Sequence, residues 1–281
     1  MMPAMHTITG TVRRPGVELY YEVTGSGPPM VFAHGLGGNH LSWWQQVPYF
    51  APRHTCVTFA HRGFAPSVTS AEPEAWDPAH YVDDLAALID HLQLPAVTLV
   101  AQSMGGWSCL EYTLRHPERV ANLIMAATGG TLDPATLDAP ERDAILRWYA
   151  AHEKVNEDLF RRGIHPAAGE RMAREQPARH FLYREIDRIG SGRLDKLALR
   201  SKLAAMRIRP VSDLRNMQTP VLFLSGDEDV VFPPSGAAVL AAVVPGAKFE
   251  AAMQTGHSVY FERAALFNEA VGAFLSERAT S

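Results

Sequence analysis

The segment Ala96-Val97-Thr98-Leu99-Val100-Ala101-Gln102-Ser103-Met104-Gly105-Gly106-Trp107 decides how this chain is read. A short apolar, β-branched run ends at Ala101, and a helical pattern begins just after Ser103. Between them stands one serine flanked by small residues. A strand that turns this sharply into a helix leaves no room for bulky side chains at the turn. It also holds the serine in strained backbone geometry, with its hydroxyl pointing out of the sheet. The pattern is small-x-Ser-x-Gly. An ordinary serine in a glycine-containing turn would look the same, so the surrounding chain has to decide.

On either side of this segment strands and helices alternate. Thr7 to Val12 and Val17 to Val23 read as a hairpin around Pro15-Gly16. Met30 to Ala33 is a buried strand ending in the glycine-rich loop His34-Gly35-Leu36-Gly37-Gly38, and a helix is expected from about Leu41 to Phe50. Thr55 to Ala60 is the next strand. Asp77-Pro78 starts a helix, with Asp as N-cap and Pro at the first position. That helix carries Tyr81, Leu85, Leu88, Ile89 and Leu92 on one face. Val120 to Ala127 is again a strand. From about Thr131 to Arg209 no strand is expected; the segment reads as helices broken at Gly163, Pro166, Pro177 and Gly190-Ser191-Gly192. Alternation resumes with a strand at Val221 to Ser225 and a helix near Pro233 to Val243. A strand at Lys248 to Ala252 and a final helix from about Val259 to Ser276 complete it. This order implies an α/β fold, a doubly wound, mostly parallel sheet covered on both faces. Residues 1–130 and 210–281 would form the core and residues 131–209 a helical insertion. Ligands bind outside the carboxyl ends of strands in such sheets, so an insertion there would act as a lid.

The chain has 281 residues, 47% of them hydrophobic and 20% charged, with a formal net charge of −4. No basic stripe appears, so neither nucleic acid nor an anionic membrane surface is an expected partner. Cys56 and Cys109 read as small buried hydrophobes rather than a disulfide framework. Met1 to Thr11 lacks the charged region and apolar core of a signal peptide, and no apolar run approaches a membrane span, so a cytoplasmic protein is expected. No metal-ligand spacing and no G-x-G-x-x-G pattern occurs, so no cofactor and no metal is expected.

Three other strand ends carry chemistry: the loop His34 to Gly38, the stretch Gly226-Asp227-Glu228-Asp229-Val230-Val231-Phe232-Pro233, and Gly256-His257-Ser258. With Ser103 they supply the parts needed for acyl transfer. Serine is a weak nucleophile at neutral pH and needs a base within reach. Histidine suits that role, and a buried carboxylate fixes its tautomer. The chain order is serine, acid, histidine.

On these motifs the sequence resembles the α/β-hydrolase superfamily, esterase- and lactonase-like members with a helical cap, over nearly its whole length. The resemblance implies Ser103 as nucleophile and His257 as base. It selects Asp229 as the acid over Asp227, with Asp133 a distant third. It implies an oxyanion hole from the N–H groups of Leu36 and Met104, and a bracing role for His34. The chain departs from the family's Asp-x-Arg-Gly-x-Gly-x-Ser pattern at Ala60-His61-Arg62-Gly63-Phe64-Ala65-Pro66-Ser67, which leaves Arg62 as a scaffold residue and His61 as a loop residue. The implied activity is hydrolysis of a small or medium carboxylic ester or lactone, a small-molecule substrate, through an acyl-enzyme. Alternatives are C–C bond hydrolysis of ring-cleavage diketones and a slow-turnover ligand receptor on the same scaffold. Among the aromatic residues Trp43, Trp44, Trp107, Trp148, Phe181 and Tyr183, Trp148 is the favoured pocket wall and Trp107 is expected to pack. The arginines of the insertion (Arg142, Arg147, Arg161, Arg162, Arg171, Arg174, Arg179, Arg184) are expected to form a solvated face with nearby Glu.

Overall fold

A computed structural model of the chain describes residues 6–279. The start of the Met1–Thr11 stretch, with the outermost residues of the segments 1–130 and 210–281, lies outside them. The hairpin forms as expected: β1 (Thr7–Arg14) and β2 (Val17–Thr24) pair antiparallel. Gly16 turns between them at φ +73°, where a side chain would be strained. β3 (Pro29–Ala33) is buried along its length. The helix expected at Leu41 to Phe50 is instead two pieces, a 3-10 turn at His40–Trp43 and a single turn α1 (Val47–Phe50). Asn39 caps the first piece by accepting from the Leu41 N–H at 2.9 Å, and Pro48 restarts the second.

β4 (Thr55–Phe59) and the short β5 (Val68–Thr69) follow. α2 (Tyr81–His91) is preceded by a 3-10 turn at Pro78–His80, whose N-cap Asp77 accepts from the Ala79 N–H at 2.9 Å. β6 (Val97–Gln102), α3 (Gly105–Arg115) and β7 (Val120–Ala126) form the central unit. The sheet order is β1-β2-β4-β3-β6-β7 and then the two strands nearest the C-terminus, with β5 pairing the start of β2 on the same edge as β4. All pairs from β4 onward are parallel.

Between β7 and those last strands the chain is not wholly strand-free, contrary to expectation. β8 (Leu132–Asp133) and β9 (Arg209–Pro210) pair in parallel, Leu132 opposite Arg209. Two-residue strands are too short to show a period, so no pattern announced them. Between them run α4 (Glu141–Arg161), α5 (Glu170–Glu175), α6 (Pro177–Ser191) and α7 (Lys196–Ala205). The breaks fall near the expected Gly and Pro residues. β10 (Val221–Gly226), α8 (Pro234–Val243) and β11 (Lys248–Ala252) follow. The last expected helix is broken at Arg263 into α9 (Val259–Glu262) and α10 (Ala264–Ala279). All four residues of α9 are buried. The chain bends there before α10 lays Phe267, Val271 and Phe274 on the sheet.

Period-2 alternation divides the core between the two faces of the sheet. In β3, Met30 and Phe32 join one apolar cluster, with Val100, Leu222, Leu224 and the α10 residues. Val31 and Ala33 join the other, with Leu99, Ala101 and the Leu85, Leu88 and Ile89 face of α2. Cys56 and Cys109 are free and buried, one on each side. A third cluster ties Met104 and Trp107, at the start of α3, to Leu199 and Leu203 of α7. No helix among the described residues is long and apolar enough to cross a membrane.

Candidate active site

The turn after β6 sets the site. Ser103 has φ +48°, a conformation that costs a non-glycine residue roughly 1–3 kcal/mol. Two backbone bonds hold it: Ser103 N–H donates to Ala126 O at 3.0 Å, and Gly106 N–H donates to Ser103 O at 2.9 Å. Glycine is required next to it. A Cβ on Gly105 would lie 2.2 Å from Ala33 O, so only a bare backbone lets α3 press this close to β3. Ala101 is fully buried in the core and its methyl group is accommodated. In a run of buried residues Ser103 alone is half-buried, because its side chain faces a cavity.

That cavity has a volume of about 310 Å³ and is lined by Ser103, His257, Leu36 and Met104 from the core side. His257 follows β11 and is almost fully buried. Its Nδ1 lies 2.8 Å from Asp229 Oδ2. The other oxygen, Asp229 Oδ1, accepts from the N–H groups of Val231 at 2.7 Å and Phe232 at 3.0 Å, so the carboxylate cannot rotate away. With Nδ1–H donated to Asp229, Nε2 is the nitrogen available on the cavity side. Asp227 is a turn residue that accepts from the Thr255 N–H at 3.1 Å, and Asp133 caps a 3-10 turn at Ala135. The N–H groups of Leu36 and Met104 have no acceptor among the described residues.

The loop bearing Leu36 is braced through His34. Its Nδ1 bonds Gly35 O at 2.8 Å, and its Nε2 accepts from the His61 N–H at 3.0 Å. That pattern requires a neutral ring, and burial holds the His34 pKa down at about 3. His61 lies in the loop after β4, as expected, and is fully buried there against His34, Phe59 and Tyr81. Burial lowers its pKa as well. Arg62 behaves as a scaffold residue: it grips buried Asp84 through two bonds, at 2.5 and 2.6 Å, and donates to Ala75 O.

The opposite wall comes from the helical segment and differs from expectation. Trp148 is not in the lining; it stacks on His152 with ring centroids 3.9 Å apart. Trp43 is buried against Phe32 and Tyr260, Tyr183 packs on Phe261, and Trp44 and Phe181 are exposed. Trp107, expected only to pack, both packs and lines the cavity, and its Nε1 donates to Leu203 O at 3.0 Å. Residues not singled out from sequence complete the wall: Asn156, Phe160, His165, Arg200, Leu203 and Arg207. The helical spacing of Arg200, Leu203, Ala204 and Arg207 in the sequence was the available signal, although α7 ends at Ala205 and Arg207 follows it.

A doubly wound sheet with a strained serine after its central strand, facing a buried Asp–His pair across a cavity, defines an α/β protein of the hydrolase type. The chain belongs to the α/β hydrolase fold family, whose model matches residues 28–264. It is 29% identical, over 92% of its length and 98% of the relative's, to a Mycobacterium tuberculosis protein provisionally named non-heme bromoperoxidase BpoC. It is 28% identical, over 93% and 92%, to the 2-hydroxymuconate semialdehyde hydrolase of Pseudomonas sp. strain CF600. Among solved structures, Est816, described as an N-acyl homoserine lactone degrading enzyme, superposes with a TM-score of 0.75 at 26% identity, covering 94% of this chain and all of that one.

Proposed function

We propose that the protein is a serine hydrolase of small or medium carboxylic esters or lactones, with residues 131–209 as a lid over its cavity. The observation that carries this reading is the Asp229–His257 pair, at 2.8 Å, on the same cavity as Ser103 at its strained turn. His257 Nε2 takes the Ser103 hydroxyl proton as Oγ bonds to the substrate carbonyl carbon. Asp229 stabilises the resulting imidazolium. The N–H groups of Leu36 and Met104 donate to the developing oxyanion, each such donor being worth about 3 kcal/mol of barrier. The C–O bond to the leaving group then breaks, and the departing oxygen takes the proton from His257. Water adds to the acyl-enzyme, giving a proton to His257. Collapse releases the acid and returns that proton to Ser103. The likeness to Est816 supports a lactone or ester; the likeness to the muconate semialdehyde hydrolase supports a second reading, C–C bond hydrolysis by the same residues.

The test is turnover of short p-nitrophenyl esters, simple lactones and a vinylogous diketone by the wild type and by Ser103→Ala. Loss of turnover in a variant that melts like the wild type supports the mechanism. Undiminished turnover refutes it, and the preferred substrate separates the two readings.

A further inference from the structure

The cavity lining holds two guanidinium groups, Arg200 and Arg207, and no carboxylate. Several other arginines of the helical segment are held by acids, and those that are not lie outside the cavity lining. Arg142 pairs with Asp143, Arg162 with Asp158, Arg171 with Glu175, and Arg188 with Glu185. Arg200 and Arg207 have no carboxylate within 4.0 Å among the described residues. Each instead lies over aromatic rings. The Arg207 guanidinium is 5.1 Å from the Trp107 ring and 5.5 Å from the Tyr149 ring, and that of Arg200 is 5.7 Å from Phe160. Arg207 also engages the Tyr149 hydroxyl, and the guanidinium N–H groups that remain match a planar carboxylate through paired bonds.

Nearby acids are already committed. Asp187, the closest acid to Arg200 in charge terms, is held by Lys196 Nζ at 2.6 and 2.7 Å and by Ser191 Oγ at 2.6 Å. Asp229 is bound to His257. The roof of the cavity therefore carries two cations and no carboxylate in its lining, over a partly apolar chamber, and an excess of positive charge concentrates anions. Asn156 adds a polar atom there: its Nδ2 donates to Val230 O at 2.9 Å, and its buried Oδ1 has no partner among the described residues.

We infer that the substrate carries a carboxylate away from its scissile carbonyl, and that Arg200 and Arg207 read it. This deepens the serine hydrolase reading and rests on it. The acyl or alcohol part is that of a half-ester of a dicarboxylic acid, or of a lactone bearing a free acid. The apolar wall of Leu36, Trp107, Phe160 and Leu203 encloses the chain between the two functional groups. Arg207, stacked between two rings, fixes the position of the anion; Arg200, on the rim, draws it in.

The experiment compares mono-p-nitrophenyl glutarate with p-nitrophenyl pentanoate, chains of equal length that differ in the terminal carboxylate. The wild type is expected to favour the glutarate in kcat/KM. Arg200→Gln and Arg207→Gln should each lower that preference by about 10- to 100-fold, mainly through KM for the glutarate. Arg200→Lys should retain part of it, since the charge remains and the fork is lost. Arg207→Gln also removes a stacked side chain, so Arg200→Gln, at the rim, is the decisive variant. A preference that is absent, or that survives both substitutions within about twofold, overturns the inference. A second arm measures calorimetric binding of glutarate to Ser103→Ala with and without Arg200→Gln. If the wild type cleaves neither ester, the acyl-transfer reading falls. Binding lost with Arg200→Gln would still support the anion site, and no binding would overturn it.

Discussion

One close approach at the site is between backbones, and it gives the sharpest test. Gly105 opens α3, and a Cβ placed there would meet Ala33 O at 2.2 Å and Ala33 C at 2.7 Å. Real Cβ atoms essentially never approach within 3.0 Å. Restoring an ordinary C···O separation of about 3.3 Å would move the start of α3 away from β3 by about 1 Å. Both surfaces are fully buried backbone that cannot rotate aside. Gly105→Val adds two further methyl groups, so a destabilisation of about 3–4 kcal/mol is expected. Ala101→Gly, two residues before Ser103, is the comparison. It removes one buried methyl, worth about 0.8 kcal/mol, and adds backbone entropy worth about 0.5–1 kcal/mol. The two variants should therefore differ by about 2 kcal/mol in urea unfolding at equal slope. The displaced helix also carries the Met104 N–H, so Gly105→Val should lose esterase turnover well beyond its unfolded fraction, by about 100-fold. Equal unfolding midpoints, or full kcat in Gly105→Val, would refute the placement of this turn.

Arg62→Met should cost about 3 kcal/mol, because it strands a fully buried Asp84 whose next cation, Arg14 Nε, is 3.6 Å away. The double variant Arg62→Met/Asp84→Leu should recover most of that loss in urea melts; no recovery would mean the pair is not the cause. Acid should also weaken the fold through His34. Its pKa is about 3 when folded against the ordinary 6.5, so the unfolded chain binds the proton first. Stability present above about 6.5 is lost as pH falls toward about 3, by about 2 kcal/mol at pH 5. Buried His61 acts in the same direction. The pH dependence of unfolding between 7 and 5 should be shallower in His34→Gln, and an unchanged slope would count against the buried neutral ring.

The strained turn at Ser103 and the positions of Asp229 and His257 were legible because each sits where a strand ends and local geometry restricts the residue. Gly105 must be small, and Asp229 lies in a turn whose own N–H groups clamp it. The pocket wall was not legible. Trp148 and Trp107 both sit on helices, but which face of α4 meets the core depends on how the helices pack, and nothing in the local spacing records that. The arginines of residues 131–209 look alike along the chain. Arg162 and Arg200 differ only in whether a carboxylate lies near them in space. The Leu41–Phe50 helix failed for a local reason that could have been read: Asn39 and Pro48 are both start signals, and two starts nine residues apart leave no room for one helix.

The pairing of β8 with β9 has a consequence for how such a chain can change. Leu132 and Arg209 are opposite partners in a small sheet of their own, and β7 and β10, which flank this segment, are neighbours in the main sheet, so the chain leaves and re-enters the core side by side. The core sees only a gap one strand wide, whatever lies between. Closing a longer loop costs little more than closing a shorter one, about 0.6 kcal/mol per doubling of length. Helices between these two strands can therefore be lengthened, shortened or exchanged for those of a relative while Ser103, Asp229 and His257 stay where the sheet puts them. On that stalk, the roof of the cavity is an interchangeable part.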